Sequence, residues 1–157
     1  MIQPSKFELN RIIQILEFQF PGVATDFLQD IFINISRKTG RIREIYREID
    51  GKKVLLFSLR TSDGRMLPTF IGGLLIIQTG YDKNRIFIDD EAIPFIKKGK
   101  SVYCKHVTKI DDNIVPNSEV FILDNANNYL ATGIAIQPSY AVLQLNLGVA
   151  VKNKHYQ

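Results

Sequence analysis

The stretch Asp90-Glu91-Ala92-Ile93-Pro94-Phe95-Ile96-Lys97-Lys98-Gly99-Lys100-Ser101-Val102 holds a start signal and a stop signal for one short helix. A carboxylate at its head can accept from the first unpaired backbone N–H groups, and Asp90 is the expected N-cap. Ile93, Phe95 and Ile96 carry the helix to about Lys98, where Gly99 supplies a left-handed stop. Asp89, Asp90 and Glu91 suit the positive end of the helix dipole, and Lys97 and Lys98 suit the negative end. Upstream, Arg85 to Ile88 reads as a strand. Downstream, strands are expected at Ser101 to Val107, Glu119 to Asp124, Tyr129 to Ile136 and Gly148 to Lys152, with turns at 111–113, 116–117 and 125–128. Short strands around one or two small helices predict a compact β-barrel.

Working towards the N-terminus, the loop from Gln78 to Asn84 places a domain boundary near Tyr81 to Lys83, giving units 1–82 and 83–157. The first unit opens with a helix. Ser5 and Glu8 have capping-box spacing, and Phe7, Ile12, Ile15, Leu16 with Phe18 or Phe20 recur near a 3.6 period until Pro21-Gly22. A second short helix is expected from Thr25 to Ile31. Strands follow at Ile42 to Ile49 and Val54 to Arg60 around the hairpin signal Asp50-Gly51, then an apolar, glycine-containing segment from Leu67 to Ile77. The fold class is therefore α+β, with an N-terminal α/β unit followed by the β-barrel.

Composition narrows the functions open to such a chain. It has 157 residues, 45% apolar and 23% charged, which suits one or two packed domains and is too short for a TIM barrel. No apolar run reaches membrane-spanning length and no secretory leader is evident, so a cytoplasmic protein without membrane contact is expected. One cysteine and two histidines exclude a multi-thiolate zinc site, and neither a metal nor a cofactor is expected. There is no P-loop, no HExxH pair and no Ser-His-Asp order, so no catalytic residue is assigned. Cys104 beside Lys105 reads as a small buried strand residue in preference to an activated thiol.

Charge distribution is more telling. Residues 1–88 carry a net +4 and residues 89–157 carry none, yet Lys97, Lys98, Lys100, Lys105 and Lys109 fall within an acid-free run. Around Gly99, with Ser101 adjacent, this suits sugar-phosphate recognition, although lysines in a last helical turn also satisfy free carbonyls. A second basic cluster surrounds Gly40: Arg37, Lys38, Arg41, Arg43 and Arg47. Arg41, Arg43 and Arg47 share strand parity, and they suit either phosphate binding or a solvated face paired with Glu44 and Glu48.

The quoted stretch, together with Pro116, Glu119-Val120, Leu130-Ala131-Thr132-Gly133 and Gly148-Val149-Ala150-Val151-Lys152, resembles the PUA domain, a small RNA-binding pseudobarrel. The first unit, through Glu17-Phe18-Gln19-Phe20, Ser36 to Arg43 and Leu59 to Gly64, is similar to the domain preceding PUA in archaeosine tRNA-guanine transglycosylase, an archaeal family. That family exchanges a guanine of the tRNA D-loop, using a barrel with two aspartates and a zinc held by three cysteines and one histidine. This chain has neither the length nor the cysteines for that apparatus.

The resemblance thus implies a stand-alone tRNA-binding piece, either the non-catalytic subunit of a split transglycosylase in archaeosine-type tRNA modification or a paralogue recruited to other RNA work. By position, Lys97, Lys98, Gly99, Lys100, Ser101, Val102 and Lys105 would hold the acceptor-stem backbone, with Lys152 and Lys154 nearby and the amides around Gly99 foremost. His106, Lys152-Asn153-Lys154 and Gln137 to Val142 depart from the family pattern. A resemblance of Gln19 to Gly22 and Leu67 to Phe70 to the malignant T-cell-amplified sequence proteins implies an alternative, action at the small ribosomal subunit.

Overall fold

A computed structural model describes all 157 residues as two compact units, Met1–Tyr81 and Asp82–Gln157. In the first, α1 (Lys6–Gln19) starts at the expected capping box: Ser5 N donates to Glu8 Oε1 at 2.9 Å, and Glu8 N donates to Ser5 Oγ at 3.2 Å. Ile12, Leu16 and Phe20 are fully buried, each contributing roughly 1.5 to 3 kcal/mol by burial, while Phe7 and Phe18 are 71% and 84% exposed. The inward stripe is narrower than the periodicity suggested because Gln19 occupies part of it. Its amide donates to Met66 O at 2.9 Å and accepts from Met66 N at 2.6 Å, stitching the helix to the sheet.

That sheet is an antiparallel meander, β1 (Ile31–Ile35), β2 (Ile42–Ile49), β3 (Lys52–Leu59) and β4 (Met66–Pro68), in sequential order. The helix expected from Thr25 to Ile31 is only a 3-10 turn, Asp26–Leu28. Ile31, Ile33 and Ile35 alternate with a period of two, which suits β-branched residues to the strand that follows. The apolar segment 67–77 divides at Thr69 into β4 and α2 (Phe70–Gln78). Thr69 Oγ1 accepts from Gly72 N at 3.1 Å and donates to Leu55 O at 2.8 Å. A side chain at Gly72 would run into the Leu56 carbonyl, so α2 lies directly on β3.

The second unit contains β5 (Arg85–Ile88), α3 (Ile93–Ile96), β6 (Val102–Tyr103), β7 (Val107–Ile110), β8 (Glu119–Asp124), β9 (Tyr129–Ala135), α4 (Ser139–Leu145) and β10 (Val149–Tyr156). Sheet order is β6-β10-β9-β8-β5-β7, parallel at β5–β8 and antiparallel elsewhere. Its two edges, β6 and β7, are joined by the three-residue 3-10 turn Cys104–His106. Three residues reach little more than 10 Å, so the sheet must curl almost closed. The result is a PUA-type pseudobarrel around Ile86, Ile88, Val102, Val120, Ile122 and Val151.

This closure explains why the expected strand from Ser101 to Val107 is broken: the chain leaves β10 after Tyr103 and joins β5 at Val107. It also places Cys104 on the turn. The N-cap is Asp89, one residue before the expected Asp90: Asp89 Oδ1 accepts from Ala92 N at 3.1 Å, and Asp90–Ala92 form a 3-10 turn before α3. Pro94, which has no N–H, is tolerated only in a first helical turn and so fixes where α3 begins. The last strand runs four residues beyond Lys152, and α4, unmarked by any side-chain cap, lies where no element was expected.

Candidate functional site

The helix stop at Gly99 closes as a Schellman motif. Gly99 N donates to Ile96 O and Lys100 N donates to Phe95 O, both at 3.0 Å, and Gly99 has φ +85°. Two of the amides expected to face a ligand are therefore committed to the helix end. From β10, Asn153 Nδ2 donates to Ile96 O at 3.0 Å and to Lys100 O at 3.1 Å, and the ring of Tyr156 lies against Gly99. Asn153 and Tyr156, neither among the expected site residues, hold the loop. Strand alternation between Lys152 and Lys154 was the one available signal for Asn153.

Beside this loop lies a cleft of about 550 Å³ lined by Gly99, Lys100, Ser101 and Lys105 together with Glu91, Phe95 and His106. Val102 also lines it. His106 Nδ1 is 3.1 Å from Asp89 Oδ2, and the ligating atoms of Asp89, Glu91 and His106 lie within 4.8 Å of one another. The cleft therefore carries basic side chains and the acidic Glu91, with Asp89 held against His106.

Lys97 turns instead to a separate hollow of about 400 Å³ with Asp124, Asn128 and Tyr129. Burial acts to raise the Asp124 carboxyl. Hydrogen bonds from Asn128 N, the Asn128 amide and Ala126 N, with Lys97 nearby, hold it below the usual carboxylate range. Burial pushes the Tyr129 phenol well up, and its hydroxyl is 2.5 Å from Thr132 Oγ1. Lys98, Lys152 and Lys154 are exposed and line neither hollow. Cys104 is buried, its thiol pushed up by burial, with Gln137 Nε2 3.5 Å from Sγ.

In the first unit, Arg37, Lys38 and Arg41 are exposed on the turn before β2, and Arg43 is exposed within β2. Arg47 pairs with Ile31 on the strand side that carries buried Ile33 and Ile45. The hydrogen bonds of Glu44 go elsewhere than to the arginines: Glu44 Oε2 accepts from Asn34 at 3.0 Å and from the Tyr46 hydroxyl at 2.9 Å. These two bonds, aided by Arg43, hold its carboxyl low against the opposing effect of burial. Arg41 and Arg43 border a hollow with Arg11 and Arg60, two arginines absent from the expected cluster.

Comparison with known proteins agrees with this division. The family described as "PUA domain" matches residues 84–157, and "Patch-forming domain C2 of tRNA-guanine transglycosylase" matches residues 10–79. The chain is a C2 patch-forming domain joined to a PUA domain. The tRNA-guanine(15) transglycosylase of Methanothermobacter thermautotrophicus is 35% identical over 150 residues, covering 94% of this chain and 22% of that protein. That of Thermococcus onnurineus is 32% identical over 152 residues, covering 96% and 26%. The chain thus spans about a quarter of these relatives' length. A conserved PUA domain protein from Thermoplasma acidophilum shares the fold at TM-score 0.68 and 20% identity, covering 98% of this chain and 91% of that one. A PUA domain protein from Aeropyrum pernix does so at 0.66 and 19%, covering 98% and 83%. No helix of the PUA-domain chain is long and apolar enough to cross a membrane.

Proposed function

We propose that this PUA-domain chain binds RNA, most directly the acceptor end of tRNA, and does so as a non-catalytic component beside a catalytic transglycosylase chain. The observation that carries the reading is the cleft at the Gly99 loop, where Lys100 and Lys105 line the space beside a backbone turn fixed by Asn153 and Tyr156. Ammonium groups there neutralise phosphates without reading bases, which is sufficient for an end that all tRNAs share. The name of the curated relatives favours transglycosylase work over the ribosomal alternative.

A protein partner is supported by a second feature. No Asp, Glu, Lys or Arg occurs between Asp124 and Lys152, and in that run Ile136, Tyr140, Leu143, Leu145 and Leu147 are exposed on and around α4. Charge depletion with exposed aromatic and aliphatic side chains characterises interface cores. The occupant we assign is the portion of the transglycosylase that these 157 residues do not span.

Affinity purification of the full chain from native lysate tests both parts. Recovery of tRNA with a transglycosylase chain is the expected result, the protein but not the tRNA being lost from Leu143→Glu/Leu147→Glu. Recovery of ribosomal subunits, of a self-dimer sensitive to the same substitutions, or of no RNA overturns the assignment.

A further inference from the structure

The first unit has two hairpin turns of one design. Ser36-Arg37-Lys38-Thr39-Gly40-Arg41 joins β1 to β2, and Arg60-Thr61-Ser62-Asp63-Gly64-Arg65 joins β3 to β4. In the first, Ser36 N donates to Arg41 O at 2.9 Å and Gly40 N donates to Ser36 O at 2.8 Å. In the second, Arg60 N donates to Arg65 O and Gly64 N donates to Arg60 O, both at 2.8 Å. Gly40 and Gly64 take φ of +67° and +71°, and the space where their side chains would lie is open. Alternate turns of an antiparallel meander project from the same end of the sheet, so the two loops stand side by side, and α1 lies along them.

Between them is a hollow of about 310 Å³. Its floor is apolar, made by Ile12, Ile15, Ile42 and Leu59, and its rim carries Arg11, Arg41, Arg43 and Arg60 with Thr39 and Thr61. Arg60 pairs with Asp63 at 3.0 Å, but no carboxylate forms an ion pair with Arg11, Arg41 or Arg43. Glu8, the one acid on the rim, already accepts from Ser5 N. Arg11, Arg41 and Arg43, free of any ion pair at an apolar floor, keep guanidinium donors available to a ligand.

A ligand that satisfies these guanidinium donors is best anionic, and a ligand that uses the floor must also present a flat apolar face. Phosphate or an acidic side chain meets only the first requirement. An unstacked nucleotide meets both, with its base on the aliphatic floor and its flanking phosphates in the planar guanidinium forks. We infer that this twin-turn hollow is a second nucleic-acid site, taking one unstacked nucleotide and the phosphodiester on either side of it. The inference rests on the RNA-binding reading of the chain and adds a contact in the unit that reading leaves unused. Rigid hairpins also suit the task, because a sheet presents the two loops at fixed separation.

The test is an NMR titration of the ¹⁵N- and methyl-labelled full chain with the single-stranded tetranucleotide AAAA. Inorganic phosphate and a hexaglutamate peptide are titrated in parallel. AAAA is expected to shift the amides of Thr39 to Arg41 and Thr61 to Gly64, with ring-current shifts at the Ile15 and Leu59 methyls. Arg41→Glu/Arg43→Glu, at two exposed positions, is expected to weaken these shifts at least tenfold while leaving those near Gly99 in place. Lys100→Glu/Lys105→Glu should do the reverse. Silence at the twin turns while the Gly99 loop responds overturns the inference alone, whereas silence at both overturns the RNA reading. Equal response to phosphate, or tighter binding of hexaglutamate, overturns the nucleotide assignment in favour of a simple anion site or an acidic protein segment.

Discussion

Tyr156 and Gly99 are in direct contact: a Cβ at position 99 would lie 2.5 Å from Tyr156 Cε1 and 2.9 Å from Cζ. The contact joins the last residues of β10 to the end of α3, far apart in sequence. It makes the glycine necessary twice, for its φ of +85° and for the approach of the ring.

Gly99→Ala should therefore cost stability in two separable parts. The left-handed backbone costs about 1 kcal/mol for a residue with a side chain, and displacement of the Tyr156 ring adds to it. Tyr156 is 48% exposed, so its ring can swing into solvent. Urea denaturation of Gly99→Ala, Tyr156→Ala and the double variant should show the second substitution costing less in the presence of the first. Strict additivity would show that the ring does not rest on the glycine in solution.

Asn153 holds the same loop by a different means. One amide group satisfies the carbonyls of Ile96 and Lys100, while its own Oδ1 is buried with no partner. Asn153→Ala removes both bonds and is expected to cost roughly 1 to 3 kcal/mol. Asn153→Asp should cost more, because it turns an acceptor towards two carbonyls. Hydrogen exchange at Lys97 to Ser101 should accelerate in both variants, and unchanged exchange there would contradict the clamp.

Much of this architecture was open to sequence reasoning, and the failures have physical causes. The capping box at Ser5, the Asp50-Gly51 turn and the Gly99 stop are local devices, so their signals sit within a few residues. The break of the strand at Cys104 comes from barrel closure, which depends on pairing with β5 and β10 and leaves no local mark. Asn153 and Tyr156 act through contacts more than fifty residues away, and Arg11 joins Arg41 and Arg43 only because α1 packs along the hairpins. Even where the lysine run was visible, its division between two hollows was not: Lys100 and Lys105 face one, and Lys97 the other.

That division has a measurable consequence for the proposed RNA contact. Each lysine that neutralises a phosphate contributes about 0.7 to 0.9 to the slope of log affinity against log salt. Lys100→Gln/Lys105→Gln should lower the slope for tRNA by about 1.4 to 1.8 if both ammonium groups meet phosphates, on the same scale. Lys97→Gln should lower it by less than either cleft lysine, since Lys97 sits beside Asp124. Fluorescence anisotropy across a salt series reads the slopes directly, and equal effects at Lys97 and Lys100 would argue against the cleft as the principal contact.

Asp124 supplies a pH dependence that belongs to the fold. Asn128 N donates to Asp124 Oδ1 at 2.8 Å and Asn128 Nδ2 donates to Oδ2 at 3.0 Å, closing the β8–β9 turn on a carboxylate held below its ordinary value of 3.8. A folded-state pKa that is depressed means the folded form binds the proton less readily than the unfolded chain. The contribution is thus fully present above the unfolded pKa and is lost as pH falls below about 4 towards the lower folded value. Asp124→Asn should be less stable than the parent near neutrality, because its amide repels one of the two donors. The gap should narrow between pH 5 and pH 3 as the parent's carboxylate is protonated. Denaturation midpoints for both proteins at those two pH values decide the matter, and a constant gap would show that the turn does not depend on the charge of Asp124.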